Sequence, residues 1–305
     1  MTDEPRYVLV VAHTGRSQSL DAALTVVALL KRGGVTPVAS ERELRDLCAA
    51  SDEARDVALL GDEVAVKDLE LVVVLGGDGT ILRAAEIVRG TDVPVLGVNL
   101  GHVGFLAEAE RDDLGDTIRR VVARDWGVEE RLALDVTVLQ GSEIVHRDWA
   151  LNEATVEKAS RERMIEVVIE VDGRPLSSFG CDGVVVSTPT GSTAYAFSGG
   201  GPIVWPTLDA MLFVPLSAHA LFARPLVVPP TSVIAVEMLR RTGGAAVLWC
   251  DGRRTVDLGL GARVEVRASG TPVRLARLHS EVDRFTDRLV RKFDLPVAGW
   301  RGPAG

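Results

Sequence analysis

A chain of 305 residues, 47% hydrophobic and 25% charged, has the length of two ordinary globular domains and enough apolar mass for a sizeable core. Its formal charge of -9 and pI near 5.2 exclude a partner held by bulk positive charge, such as nucleic acid or an anionic membrane. Anionic small ligands stay open wherever arginines are local. From Tyr7 to about residue 125, short apolar runs alternate with helical stretches, the pattern of an α/β unit on a mainly parallel sheet. YVLVVA reads as a buried strand, SQSLDAALTVVALLKRGG as a helix opened by serine caps and closed by glycines, VTPVA as a second strand and ERELRDL as a helix. LELVVVL then runs into a glycine loop, a helix from about Thr80 to Arg89, the strand VPVLGV, a second glycine-bearing loop NLGHVGF and the helix DDLGDTIRRVVA. This half is predicted to be Rossmann-like.

After Trp126 the period changes from 3.6 to 2, with Leu132, Leu134, Val136 and Val138 on one face and Ile165, Val167, Ile169 and Val171 on another. Asp172-Gly173 and Asp251-Gly252 are hairpin signals, because both central residues of such a turn take positive φ. A Ser269-Gly270 turn separates RVEVRA from PVRLARL. The expectation is an α/β domain over 1–128, joined by the tail 278–305, and a mainly β, sandwich-like domain over 129–277. The tail SEVDRFTDRLVRKF reads as a helix with Val282, Phe285, Leu289 and Phe293 inward; what it docks on is not legible.

Cys48, Cys181 and Cys250 are scattered, odd in number and without metal-ligand spacing, so they are expected as buried reduced thiols. The start, MTDEPRYVLV, lacks the basic-then-apolar order of a signal peptide, and MLFVPLSAHALFARPLVVPP is interrupted by His219, Arg224 and prolines. A cytoplasmic protein is expected.

Three stretches can carry chemistry. In GGDGT, residues 76–80, a strand, a tight glycine turn and a helix start put backbone N–H groups and a positive dipole end at one point, which suits phosphate. Neither the GxxxxGK[ST] nor the GxGxxG pattern is present. Asp78 has two readings there. It caps the helix, or it is the carboxylate that orients an alcohol and accepts its proton in phosphoryl transfer. In DGVVVSTPTGSTAYAFSGGGPIV, residues 182–204, dense Ser, Thr and Gly can bond sugar and phosphate oxygens, and Tyr195 with Phe197 can pack a heterocycle. GSTAY is not GxSxG, so a serine hydrolase is disfavoured. In WALNEATVEKASRERM, a stretch with Trp149 and Leu151 on one face ends in the polar Asn152-Glu153; by itself that pair reads as a turn and Arg163 as a solvated charge.

Taken together, GGDGT, NLGHVGFL at 99–106, Asn152-Glu153, DGVVVSTPTGSTAY and the following GGPIV resemble the NAD kinases along nearly the whole chain, and the arginine-rich, lysine-poor composition is similar to actinobacterial members. GGDGT is shared with lipid kinases and 6-phosphofructokinases; TPTGSTAY in this position is more specific. The resemblance implies phosphorylation of the adenosine ribose 2′-hydroxyl of NAD, giving NADP, with ATP or polyphosphate as donor and Mg²⁺ or another divalent cation arriving on the nucleotide. It implies that Asp78 is the base and that Gly76, Gly77, Gly79 and Thr80 belong to the nucleotide loop. Asn152 and Glu153 would bind the adenosine part, and Asp182 with Thr193, Ala194, Tyr195, Ala196, Phe197 and Ser198 would line the dinucleotide. Arg83 and Arg163 would be basic substrate contacts, and Phe105 an aromatic near the adenine. A homodimer or homotetramer is implied. No fixed protein cage for a metal is evident in the sequence. At Asp251-Gly252 some members continue with a glutamine where this chain has Arg253, so no role is carried over there. The alternatives are a GGDGT-type lipid or small-metabolite kinase and a non-catalytic dinucleotide-binding protein.

Overall fold

The computed structural model describes residues 5–101, 104–160, 163–240, 245–278 and 285–297. The chain divides into two units, Met1–Glu130 with Arg274–Gly305, and Arg131–Val273. The first contains β1 (Tyr7–Ala12), α1 (Ser17–Arg32), β2 (Thr36–Ala39), α2 (Glu41–Ala50), β3 (Ala58–Leu59), β4 (Leu71–Leu75), α3 (Asp78–Ile87), β5 (Val95–Asn99), β6 (Ala109–Glu110), α4 (Leu114–Ala123) and β7 (Trp126–Arg131). β4 and β5 are buried at every position, as strands of a parallel sheet covered on both faces must be. α1 presents Ala22, Ala23, Val26, Val27 and Leu30 to the core at helical spacing. The strand order is β3-β2-β1-β4-β5-β20-β7, where β20 is Val273–Leu278, and β6 also pairs with β5. β1 pairs in parallel with both β2 and β4, and β4 with β5.

β1 is therefore the strand from which the chain winds one way, through α1 to β2, and β4 begins the winding the other way, through α3 to β5. In such sheets ligands bind outside the carboxyl ends of the strands at this reversal, here the loops after β1 and β4.

The second unit comprises two six-stranded antiparallel sheets. One runs β12-β11-β16-β19-β8-β9, with β8 Leu134–Gln140, β9 Glu143–Ala150, β11 Ile165–Val171, β12 Arg174–Cys181, β16 Val233–Met238 and β19 Ala262–Ala268. The other runs β15-β14-β13-β10-β17-β18, with β10 Glu153–Lys158, β13 Gly183–Ser187, β14 Met211–Leu216, β15 Leu226–Val228, β17 Ala246–Cys250 and β18 Arg254–Leu258. Val136, Val138, Ile165, Val167 and Ile169 from the first sheet share one buried cluster with Val156, Val184, Val186 and Leu248 from the second. Asp172-Gly173 and Asp251-Gly252 both have positive φ and close the hairpins β11–β12 and β17–β18.

Five local expectations are corrected. α1 is capped by Arg16, whose side chain makes no cap bond, and Ser17 is already helical. α3 begins at Asp78, two residues before the expected Thr80, because Gly77 serves as its N-cap. β20 follows Ser269-Gly270 yet pairs in parallel with β5 of the first unit, so that turn makes no hairpin with β19. Leu132 packs on the core from outside β8, and Val171 at the end of β11 is only partly buried. Cys48 is exposed, whereas Cys181 and Cys250 are buried. The tail forms α6 (Phe285–Phe293); Val282 lies outside the described residues. Among the described residues no helix is long and apolar enough to cross a membrane.

The β5–α3 contact leaves no room for a side chain at Gly97, where a Cβ would lie 2.4 Å from Ile81 Cδ1 and 3.0 Å from Ala107 Cα. Gly97→Ala is expected to destabilise the protein by about 1–3 kcal/mol, read as a lower Tm, and adding Ile81→Val, which removes that Cδ1, to recover part of the loss. An undiminished Tm for Gly97→Ala would contradict this packing.

Candidate active site

Asp78 is the first residue of α3, at the carboxyl end of β4. It does not cap its own helix. Its Oδ2 accepts the N–H of Phe105 at 3.1 Å and its Oδ1 the N–H of Leu106 at 3.1 Å. Gly104 makes this approach possible, since a Cβ there would meet Asp78 Oδ1 at 2.4 Å. Likewise a Cβ on Gly76 would meet Thr80 Oγ1 at 2.7 Å, while Gly77 and Gly79 are exposed at the start of the helix. Of the two readings of Asp78, the structure removes the cap. The carboxylate is partly exposed and oriented by two amides of the neighbouring loop.

Arg83, one and a half turns further on, is turned to a different partner. Its Nη2 donates to Glu43 Oε1 at 2.6 Å and to Ala12 O at 3.0 Å. Glu43, only 2% exposed, also accepts the Ala12 N–H at 3.0 Å and the Ser40 hydroxyl. A charge this deeply buried needs such compensation. Arg83 therefore helps to close the end of β1, which accounts for one of its terminal nitrogens. Phe105, expected beside an adenine, is itself 8% exposed and lies with its ring 6.0 Å from Phe285 and 5.9 Å from Phe293. The tail helix thus docks on this loop, a contact the sequence did not indicate.

In the second unit two candidates sit where the chain changes sheet. β9 ends at Ala150 in one sheet and β10 begins at Glu153 in the other, so Leu151 and Asn152 make the crossing. β12 ends at Cys181 and β13 begins at Gly183, so Asp182 alone makes the second crossing. Asn152-Glu153 is not a plain turn at a strand end. Asp251, from the β17–β18 hairpin, accepts the N–H groups of Leu151 at 2.9 Å, Asn152 at 2.7 Å and Glu153 at 3.3 Å. Arg254 supports the same corner, donating to Asp251 at 3.4 Å, to Asp148 at 2.8 Å and to Trp149 O at 2.6 Å, with its guanidinium 4.9 Å from the Trp149 ring. Asp251 is not among the residues the sequence singles out, because an Asp-Gly dipeptide signals a hairpin turn and nothing local marks the corner it holds.

The threonine-serine loop is used differently from the expectation. Ser187, Thr188 and Ser192 are fully buried. Thr188 Oγ1 donates to Leu151 O at 2.6 Å, Ser187 Oγ to Asn152 O at 3.0 Å, and Ser192 Oγ to Pro189 O at 2.7 Å while accepting the Val204 N–H at 2.9 Å. These hydroxyls fold the loop and are not presented to a ligand. Gly191 is required by closeness, because a Cβ there would lie 2.0 Å from Asn152 O. What the loop does present is the short helix α5 (Tyr195–Ser198), preceded by Thr193 and Ala194, with Tyr195 39% and Phe197 41% exposed and Ala196 buried. The Tyr195 N–H donates to Glu153 Oε2 at 3.3 Å. Tyr195 and Ser198 line a cleft of about 500 Å³ together with Glu157, Lys158, Asp182 and Ser217. There Lys158 Nζ lies 2.5 Å from Asp182 and holds its carboxyl below the usual range. Tyr195 titrates above the ordinary phenol value because of burial and the nearby Glu157. Arg163 is exposed on the approach to β11. The candidates thus gather as Asp78 with Phe105 in the first unit and as Asn152, Glu153, Asp182 and the 193–198 segment in the second.

Glu153 and Asp251 are each only 6% exposed. Burial, and then the charge of Asp251, push Glu153 up to about 8. Burial also raises Asp251, but three amides and Arg254 oppose that rise. Of the two, Asp251 has the more support for its charge, in three amides and Arg254, whereas Glu153 accepts a single amide and is the carboxyl that burial raises with less to oppose it.

Comparison with known proteins agrees along both units. The family models of the ATP-NAD kinase N-terminal domain and C-terminal domain match residues 8–126 and 151–278. An NAD kinase from Leifsonia xyli is 66% identical over 300 residues, covering 98% of each chain. An NAD kinase from Mycobacterium tuberculosis is 51% identical over 305 residues, covering 97% of this chain and 98% of that one. Among solved structures, an Archaeoglobus fulgidus NAD kinase in complex with ATP superposes with a TM-score of 0.70 at 25% identity, covering 95% of this chain and 100% of that one. The fold of a yeast NADH kinase complexed with NADH is also similar, with a TM-score of 0.83 at 23% identity over 100% of this chain and 90% of that one.

The Glu153 proton has a measurable effect on stability. Its value is about 8 when folded against an ordinary 4.5. Between these values the folded state binds the extra proton, so this contribution to stability is full below 4.5 and is lost as pH rises through 8. Thermal unfolding measured from pH 5 to 9 should show Tm falling less steeply in Glu153→Gln than in the parent. Parallel curves would mean that Glu153 is ionised throughout.

Proposed function

The chain belongs to the NAD kinase family, and from that premise we propose how its residues carry the reaction. It is a phosphotransferase that uses ATP to phosphorylate NAD, giving NADP. In the proposed mechanism Asp78 accepts the proton of the adenosine ribose 2′-hydroxyl as that oxygen forms its bond to the terminal phosphorus; the bond from phosphorus to the bridging oxygen breaks and ADP leaves with that electron pair. The observation that carries this reading is the Asp78 carboxylate, held by the Phe105 and Leu106 amides beside the sheet reversal instead of being spent on its own helix.

Gly76, Gly77, Gly79 and Thr80 form the loop on which phosphate would rest, where exposed first-turn amides and the helix dipole favour negative charge. In the second unit the aromatic faces of Tyr195 and Phe197 are open enough to pack a base, and Asp182, Lys158 and Ser198 offer ribose-binding groups along one cleft. Asn152 and Glu153 would meet the adenosine part, Asn152 through its amide and Glu153 through its carboxyl. Arg163 and the outer face of Arg83 would add positive charge in an otherwise acidic protein.

A divalent cation fits this arrangement as part of the nucleotide. Among the described residues no group of three or more His, Cys, Asp or Glu is placed to hold a metal, and Mg²⁺ commonly keeps several waters and needs only one or two carboxylates, so it would be carried by the nucleotide phosphates. When bound it would neutralise charge on the phosphates. We further propose a Rossmann-like first unit and a sandwich-like second one, a cytoplasmic location, and a homodimer or homotetramer. The exposed Leu221 and Phe222 support the last of these.

The purified protein is expected to form NADP from NAD, ATP and Mg²⁺. Asp78→Asn should lower kcat by about 10²–10⁴-fold while NAD binding changes only a few-fold. Parental kcat in that variant would remove Asp78 as base, and the same assay with polyphosphate and with NADH settles donor and acceptor.

A further inference from the structure

The tail helix is tied to the loop that orients Asp78 by more than ring contacts. Arg288, only 5% exposed, donates from Nη1 to Phe105 O at 3.0 Å and from Nη2 to Glu108 Oε2 at 3.1 Å. Phe105 is the same residue whose N–H is bonded to Asp78. Glu108 is fixed from two further directions: its N–H donates to Gly97 O in β5 at 2.8 Å, and its carboxylate accepts Arg277 Nη1 at 2.8 Å and the Leu278 N–H at 3.1 Å in β20. One guanidinium thus bridges the peptide that holds the carboxylate and a residue anchored in the sheet. The Phe105 ring is meanwhile flanked by Phe285 and Phe293 of the same helix.

This arrangement is more than a surface helix needs for docking. A guanidinium nearly removed from water must be compensated, and here the compensation includes a backbone carbonyl one peptide from the catalytic contact. We infer that Arg288 is a positioning residue for phosphoryl transfer, fixing through Phe105 the two amides that orient the Asp78 carboxylate. The inference rests on Asp78 being the base. Its consequence is that α6, more than 200 residues after GGDGT in sequence, sets the turnover number. Loss of alignment between a base and its hydroxyl is costly, since a displacement of about 1 Å can lower a rate by about 10²-fold.

The test is a double-mutant cycle on the full-length chain, with kcat, KM for NAD and ATP, and Tm measured for Arg288→Met, Asp78→Asn and the pair. Arg288→Met should lower kcat by about 10–100-fold with both KM values within about threefold, and Arg288→Lys, which keeps a donor to the Phe105 carbonyl, should recover part of it. In the Asp78→Asn background the same substitution should leave kcat nearly unchanged, because the group it positions has been disabled. Unchanged kcat in Arg288→Met, or the same fold-loss in both backgrounds, overturns the positioning role while leaving Asp78 as base. Full activity of Asp78→Asn overturns the base assignment, and the positioning role with it. If Arg288→Met does not fold, Phe293→Leu, which trims only the ring contact with Phe105, should show a smaller loss of the same kind, and parental kcat there would overturn the inference.

Discussion

Buried backbone must find partners for its N–H groups wherever it leaves a sheet, and at Leu151–Glu153 a single carboxylate supplies all three. Asp251 reaches the corner from a hairpin about one hundred residues later in the chain and lets it pass between two sheets in two residues. Neighbouring features follow from that solution. Asn152 and Glu153 are held rigidly, Gly191 is forced to be glycine by the nearby Asn152 carbonyl, and Ser187 and Thr188 are drawn inward to satisfy the corner's remaining carbonyls. Glu153 is raised in its turn, first by its own burial at this corner and then by the neighbouring Asp251 charge. A carboxylate that holds three amides and a raised carboxyl beside it are thus two outcomes of one constraint.

Much of this fold is legible from periodicity. The 3.6-residue spacing in α1, the two-residue alternation in β8 and β11 and the two Asp-Gly turns each report a local preference that the tertiary structure respects. The failures arise where side chains act at long range. The hydroxyls of STPTGST could be counted in the sequence but not given a direction, and Ser187, Thr188 and Ser192 point inward. Asp251 looked like a turn former because an Asp-Gly dipeptide is sufficient for a turn, and its second use depends on a strand a hundred residues away. The docking of α6 on Phe105 and the placement of β20 beside β5 had no local signal at all.

The resemblance to a family and the geometry answer different questions. The family names the reaction and its acceptor. The geometry distinguishes which of the inherited residues are available for chemistry: Arg83 is partly committed to Glu43, Phe105 is covered by two rings, and the 193–198 segment presents exposed aromatics.

Asp78 differs in the same respect from the other carboxylates that accept backbone amides. A carboxylate has about four acceptor positions. Asp251 gives up its capacity to three amides and Arg254, and Glu43 to an amide, a hydroxyl and a guanidinium, and both are buried. Asp78 accepts two amides and remains partly exposed. A general base must be both immobile and unsaturated: fixed well enough to meet a hydroxyl at hydrogen-bond distance, yet with an acceptor position left for its proton. Two amides give the first condition without consuming the second, so in the proposed reading of Asp78 as the base the loop that holds it, and the helix that holds the loop, serve that one carboxylate.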